Sequence, residues 1–195
     1  MKVGLGSRGF ATPRSTDRRR RARNVRFPLG CQFPLPTHCG HSRGAPTSCM
    51  LDNDLTRLRE IIAIGGDAVA IDNALVPVSA AQDPRSIEPL LLMLRDDAND
   101  HGMWSLLHAA EAYDDKTYVT AFVGALPKIA STAPGWSSIL MMRVLNSETS
   151  RHELVRQLRD APRASRVTAA SVCEDINRAD VRFLAKTTVV LVACK

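Results

Sequence analysis

The segment "MWSLLHAAEAYDDKTYVTAFVGALPKIAST" (residues 103–132) decides the fold class. In two successive runs its apolar residues recur at intervals of three and four, the spacing that places side chains on one face of an α-helix. These positions are Met103, Leu106, Leu107 and Ala110 in the first run and Tyr118, Phe122, Ala125 and Ile129 in the second. Asp114 and Asp115 separate the runs, where aspartate caps a helix start. The segment therefore predicts two helices joined by an acidic turn.

The same period continues on both sides of this segment. It recurs in "LDNDLTRLREIIAI" (51–64), "DPRSIEPLLLMLRDD" (83–97), "APGWSSILMMRVL" (133–145) and "NSETSRHELVRQLRDAP" (146–162). We expect roughly seven or eight helices of about 10–16 residues joined by short turns, which make sequence neighbours antiparallel. The predicted fold is all-α and built of irregular antiparallel helical hairpins. They form either a HEAT-like short α-solenoid or a compact bundle.

Two local signals refine the helix boundaries, and the end of the chain is left open. Ser150 and Glu153 fit the S-x-x-E capping box at the start of a helix. Pro127 should kink or shorten the helix that contains it, because proline lacks the backbone N–H that the helix needs. The pattern gives no structure after about residue 175, where "RFLAKTTVVLVACK" (182–195) follows.

The charge distribution divides the chain near Met50. Residues 1–49 contain ten basic residues and one acidic residue, whereas residues 50–195 contain 16 basic and 19 acidic residues. The head is rich in Arg, Pro, Gly and Ser and lacks apolar periodicity, so it cannot bury enough surface to offset the entropy of ordering. We therefore predict a disordered basic extension over residues 1–49 and an all-helical domain over residues 50–195. Met50 directly precedes the first regular pattern, so the extension can also be an artefact of an upstream start.

Three other interpretations of the head are open. Its arginine run can bind nucleic acid through phosphates, or it can be a transit-type presequence. The cysteines and histidines can gather zinc, although no C-x2-C pair occurs. These residues are Cys31, His38, Cys39, His41 and Cys49. The odd cysteine count and the lack of an early apolar signal segment or an 18-residue apolar run favour a cytoplasmic protein without a membrane partner.

Residues 50–195 contain no assembled catalytic pattern. His108 and Glu111 lie three residues apart on one helix and can supply part of a metal site, but a site needs three or four ligands. Neither a G-x-S-x-G elbow nor a P-loop occurs in this part of the chain. We therefore expect a protein that is not an enzyme and that uses neither a cofactor nor a metal.

An excess of acidic residues marks the centre of the chain. Residues 83–115 contain eight acidic and two basic residues, several of them at predicted turns between helices. Turns of stacked hairpins are expected to fall along one rim, and such a negative ridge would attract a basic protein. Trp104 and Trp136 each begin a helix and either pack between helices or anchor an interface. The candidate partner-binding residues are Asp96, Asp97, Asp100, Trp104, Glu111, Asp114, Asp115 and Trp136.

Three consecutive stretches carry a family resemblance. "MWSLLHAAEAYDDKTYV" (103–119), "ALPKIASTAPGWSSILMMRVLNSE" (125–148) and "SRHELVRQLRD" (150–160) resemble the Immunity protein 30 family of bacterial polymorphic toxin systems. The resemblance extends over about residues 52–162. It implies an all-α protein that binds and neutralises a cognate secreted toxin, without catalysis or a cofactor. The acidic residues suggest a further hypothesis, in which the ridge mimics a phosphate backbone and blocks a basic cleft.

Two alternatives from other functional classes stand beside this hypothesis. A HEAT-like scaffold would bind proteins unrelated to toxins. A nucleic-acid-associated protein would use the Arg-rich N-terminus, and not the mildly acidic body, to bind phosphates. The sequence does not predict the toxin, the oligomeric state or the site of blockade.

Overall fold

The computed structural model describes residues 48–98 and 100–195, except for the side chains of Ser48 and Asp100. Within these residues the regular secondary structure is entirely helical, which confirms the all-α prediction. The helices are α1 (Ser48–Ala63), α2 (Ala68–Ala81), α3 (Ile87–Leu92), α4 (Asp100–Glu111), α5 (Asp115–Thr132), α6 (Pro134–Asn146), α7 (Glu148–Asp160), α8 (Arg163–Ala179) and α9 (Leu184–Ala193). Two short 3₁₀ turns cover Pro84–Ser86 and Val181–Phe183.

The helix boundaries differ from the predictions in three places. The strong pattern at 83–97 gives only a six-residue α3, because Asp83 starts a 3₁₀ turn and accepts a hydrogen bond from the Arg85 amide. The end of the chain, left open after about residue 175, completes α8 and forms α9. The first helix begins at Ser48, and the remainder of the extension predicted over residues 1–49 lies outside the described residues.

The helices pack in the order of the chain. The main contacts of each helix are with helices at most three positions away, as in α1 with α2, α2 with α4, and α7 with α9. Very short connectors reverse the chain, and Ala133 alone joins α5 to α6. This agrees with the predicted succession of helical hairpins, whereas the HEAT-like classification itself stays a prediction.

Helix α5 lies at the centre of this succession. It packs against α3, α4, α6, α7 and α8 and buries Phe122 completely. The helix continues through Pro127, and both Leu126 and Ile129 beside that proline are buried. The prediction that Pro127 shortens the helix is therefore wrong. Most helical stability in proteins comes from tertiary packing, and packing on five neighbours outweighs one missing hydrogen bond.

The substitution Phe122→Ala tests the central role of α5. Removing a fully buried phenylalanine should lower the free energy of unfolding by about 3–5 kcal/mol, because the ring's contacts are lost and a cavity remains. Equilibrium urea unfolding would measure the change. Thr120→Ala, on the exposed side of the same helix, should stay within about 0.5 kcal/mol of the wild type. Equal losses in the two variants would contradict the assignment.

Candidate partner-binding surface

The carboxylate of Asp96, which lies in a loop distant in the sequence, caps the N-terminus of α6. Its Oδ2 accepts a hydrogen bond from the Gly135 amide at 2.9 Å, and its Oδ1 accepts one from the Trp136 amide at 3.1 Å. Ala133, the residue at the N-cap position, supplies no side-chain cap. Asp96 is distant from α6 in the sequence, but it accepts the amide hydrogen bonds that the side chain of an N-cap residue usually accepts.

The two tryptophans form one aromatic cluster beside this cap. Their ring centroids lie 5.2 Å apart in an edge-to-face arrangement with an interplanar angle of 71°. Trp136 is only 4% exposed, and its Nε1 donates to the Arg95 carbonyl at 3.2 Å. Trp104 is partly buried. Its ring centroid lies 6.0 Å from that of the His108 imidazole and 5.6 Å from Cζ of the Arg143 guanidinium. Trp136 thus packs inside, whereas Trp104 retains some exposed surface.

Glu111 and Arg143 form a bidentate ion pair between α4 and α6. Arg143 Nε and Nη2 donate to the two carboxylate oxygens of Glu111, each at 2.6 Å. The hydrogen bonds to Glu111 raise the pKa of the Arg143 guanidinium. The two residues of the predicted His108–Glu111 pair therefore have other neighbours. Glu111 pairs with Arg143, and His108 lies beside Trp104. No three potential metal ligands come together in the described part of the chain.

The turn between α4 and α5 places its two aspartates in different environments. Asp114 caps α5, as predicted, and accepts hydrogen bonds from the Thr117 amide at 3.0 Å and the Thr117 hydroxyl at 2.7 Å. These hydrogen bonds lower the pKa of Asp114. Asp115 accepts a hydrogen bond from the Ser150 hydroxyl at 2.5 Å, which connects the start of α5 to α7.

A polar cleft of about 430 Å³ opens beside Asp115. Tyr118 is only 4% exposed, and its hydroxyl is buried there without a hydrogen-bond partner among residues 48–98 and 100–195. Burial, and then the charge of Glu111, raise the pKa of this phenol, so it remains neutral. The cleft is lined by Glu111, Tyr113, Asp115, Tyr118, Arg143, Val144, Asn146, Ser147 and Ser150.

The predicted single acidic rim is replaced by a strip along α4 and α6. Asp96 contacts Gly135 in the first turn of α6, whereas Glu111 contacts Arg143, eight residues further along the same helix. At a rise of 1.5 Å per residue this separation is about 12 Å, so the acidic turns lie at two ends. A chain of contacts nevertheless connects them. We call this strip the α4–α6 seam: Asp96, Trp104, Glu111, Asp115, Tyr118, Trp136, Arg143 and Ser150, together with Asp114, which directly precedes Asp115 in the sequence.

Two of the predicted residues are not joined to the seam by these contacts. Asp97 is exposed and pairs with Arg95 at 2.8 Å, and the hydrogen bond to Arg95 lowers the pKa of Asp97. The side chain of Asp100 lies outside the described residues. The partner-binding role of all eight candidate residues stays a prediction.

Sequence patterns missed three members of the seam. Arg143 is absent from the candidate residues, and the apolar spacing predicts Tyr118 only as part of a helix face. Ser150 was predicted as a helix cap, which is wrong: Ser147 caps α7 and accepts a hydrogen bond from the Ser150 amide, while the Ser150 hydroxyl reaches Asp115. Only the alternation of serines in "NSETS" (146–150) hints at the earlier cap.

Fold and surface together define an all-helical protein whose polar and aromatic side chains concentrate along one seam. None of the helices in the described residues has the length and apolar content that crossing a bilayer requires. Residues 60–154 match the family model of Immunity protein 30. The resemblance found in the sequence is thus confirmed over these residues, and it indicates an immunity function exercised on a protein partner. Neither a curated protein nor a solved structure matches the chain.

The substitution Asp96→Ala tests the cap that organises the seam. Loss of both acceptors should lower the free energy of unfolding by about 1 kcal/mol, the usual effect of removing a helix cap. Urea unfolding measures the effect. Asp97→Ala is the matched control, because an exposed ion pair contributes little and the change should stay within about 0.5 kcal/mol. If both variants lost stability equally, the capping role would be refuted.

Proposed function

We propose that this chain is an immunity protein that binds and neutralises a cognate secreted toxin of a polymorphic toxin system. It acts in the cytoplasm of the producing cell and blocks the toxin by direct contact, without chemistry of its own. The contact surface is the exposed part of the α4–α6 seam and the cleft beside it. Trp136 is excluded from the contact because it is buried, and it supports Trp104 from beneath.

One observation carries this proposal. The segment that matches the immunity family, residues 60–154, contains every residue of the seam and all nine residues that line the cleft. The seam also combines features of protein-binding surfaces: a partly exposed tryptophan, an arginine and an unsatisfied hydroxyl in a concave region. Helices α8 and α9 lie outside the matched segment and contribute none of these residues.

Charge favours a basic toxin surface as the partner. In the described residues Asp97 and Glu111 pair with arginines, whereas Asp96, Asp114 and Asp115 make no ion pair with lysine or arginine. These three carboxylates are exposed, and no paired lysine or arginine of the described residues offsets them. Such charge accelerates association with a basic partner and imposes specificity more than it adds affinity. A toxin that acts on nucleic acid would present a suitable basic cleft.

Co-expression tests the function directly. The C-terminal domain of the secreted protein encoded beside this chain should arrest growth when expressed alone, and the full chain should restore growth. A purified mixture should form a complex by size-exclusion chromatography. Growth arrest that persists despite soluble expression of both proteins would refute the proposal.

Replacing the three unpaired carboxylates by amides tests the effect of their charge on association while the helix caps are kept. In the triple variant Asp96→Asn, Asp114→Asn and Asp115→Asn, the amide oxygens still cap helices, since asparagine is also a good N-cap. We expect at least about a tenfold lower association rate at low salt and a weaker dependence on ionic strength, measured by surface plasmon resonance.

The matched control removes the same number of charges elsewhere. Asp160→Asn, Glu174→Gln and Asp175→Asn lie on α7 and α8, away from the seam. This control should associate at the wild-type rate. If both triple variants slow association equally, net charge and not the seam attracts the toxin.

Tyr118→Phe tests the cleft without a folding defect. The hydroxyl has no hydrogen-bond partner among the described residues, so its removal should leave the free energy of unfolding unchanged or raise it. A toxin group that bonds to this hydroxyl would lose about 1 kcal/mol, or about fivefold to tenfold in affinity. Calorimetric titration with the toxin domain measures the loss. Wild-type affinity in the variant would exclude the hydroxyl from the contact.

A further inference from the structure

Exposed large apolar side chains are confined to the two ends of the helical succession. Within the described residues nine such side chains occur, four in residues 50–76 and five in residues 167–192. The first four are Met50, Ile64, Val69 and Val76, and the others are Val167, Val181, Leu184, Val189 and Val192. Stacked helical hairpins need polar faces on their terminal units to remain soluble alone. Both ends here lack such a face, which points to a partner at each end.

The C-terminal end contains a groove between α7 and α9. The groove has a volume of about 610 Å³ and combines valines with basic side chains. It is lined by Arg151, His152, Val155, Arg159, Ala185, Lys186, Thr188, Val189 and Val192, with no acidic residue among them. Arg151 donates to the Leu145 carbonyl and Lys186 donates to the Asn146 amide oxygen, so the oxygens that these cations contact are neutral. The groove therefore suits an apolar ridge that carries negative charge.

The N-terminal end presents such a ridge on α2. Val69, Asp72, Asn73 and Val76 are exposed, and their spacing of three, one and three places them on one helix face. The opposite face of α2 buries Ile71, Ala74, Leu75 and Val78 against the rest of the protein. Residues 50–76 contain five acidic and two basic residues. This end is therefore acidic where the α7–α9 groove is basic.

We infer that the exposed face of α2 in one copy of this chain docks into the α7–α9 groove of a second copy. Val69 and Val76 cover the valines of the groove, and Asp72 meets its cations. The two surfaces differ, so the contact is heterologous, and repetition closes a ring or extends an open chain of subunits. The α4–α6 seam is not part of either surface, so the association does not depend on the immunity function.

The test uses two single variants of the full chain, each with one defective end. Val76→Asp damages the ridge and Val192→Asp damages the groove, and both positions are more than 60% exposed, so folding is preserved. Sedimentation velocity at low salt, over a concentration series, should give higher oligomers for the wild type. Each variant alone should associate at least about tenfold more weakly, because a charge enters an apolar contact. Circular dichroism confirms that the variants are folded.

Mixing the two variants tests whether the contact joins the α2 face of one copy to the α7–α9 groove of another. Each variant keeps one intact end, so an equimolar mixture should form a dimer and stop there. Val167→Asp is the control, because this exposed valine on α8 does not line the groove and its replacement should leave the oligomers unchanged. A wild type that stays monomeric at every concentration would overturn the inference. So would a mixture without dimers, or either variant forming wild-type oligomers alone.

Discussion

The geometry of the α4–α6 seam depends on one carboxylate. Asp96 binds two amides at the start of α6 from a loop 39 to 40 residues earlier in the chain. This contact fixes where α6 begins relative to the loop before α4. Gly135 makes the contact possible, since a Cβ at that position would lie 2.9 Å from Asp96 Oδ1. With that start fixed, Trp136 lies beneath Trp104, and Arg143 reaches Glu111.

A second long-range hydrogen bond positions two helices at the other end of the seam. Asp115 binds Ser150 across 35 residues of sequence, and this hydrogen bond sets the start of α7 beside the start of α5. The cleft exists because these helix ends meet around Tyr118 without supplying its hydroxyl with a partner. An unsatisfied buried hydroxyl is destabilising in the free protein. The unsatisfied hydroxyl therefore supports the proposal that this cleft receives a partner group.

Features that depend on neighbours along the chain were predictable. The spacing of Leu106 and Leu107, and of Phe122 and Ile129, predicted α4 and α5, because a helix face repeats within one or two turns. The cap at Asp114 was predictable for the same reason, since its acceptor lies three residues from the donor. All-helical architecture and hairpin order followed from these local patterns and from short connections.

Features that depend on distant partners were not predictable from one sequence. Periodicity gives the inward face of each helix but not the register between two helices. The pairing of Arg143 with Glu111 over 32 residues, and the use of Asp96 as a remote cap, therefore left no pattern. The predicted acidic rim failed for this reason, because it assigned turns to one edge without the register of α4 against α6. Ser150 was misplaced because two serines within one turn both fit a capping position.

The aromatic cluster of the seam gives the protein an intrinsic optical reporter. The chain contains two tryptophans, and they lie in contact at the α4–α6 seam. One indole is enclosed, and the other is partly open to solvent beside a guanidinium and an imidazole. All tryptophan emission of the native protein therefore originates at the α4–α6 seam. A change in its wavelength or in quenching by iodide reports events at the seam without a label.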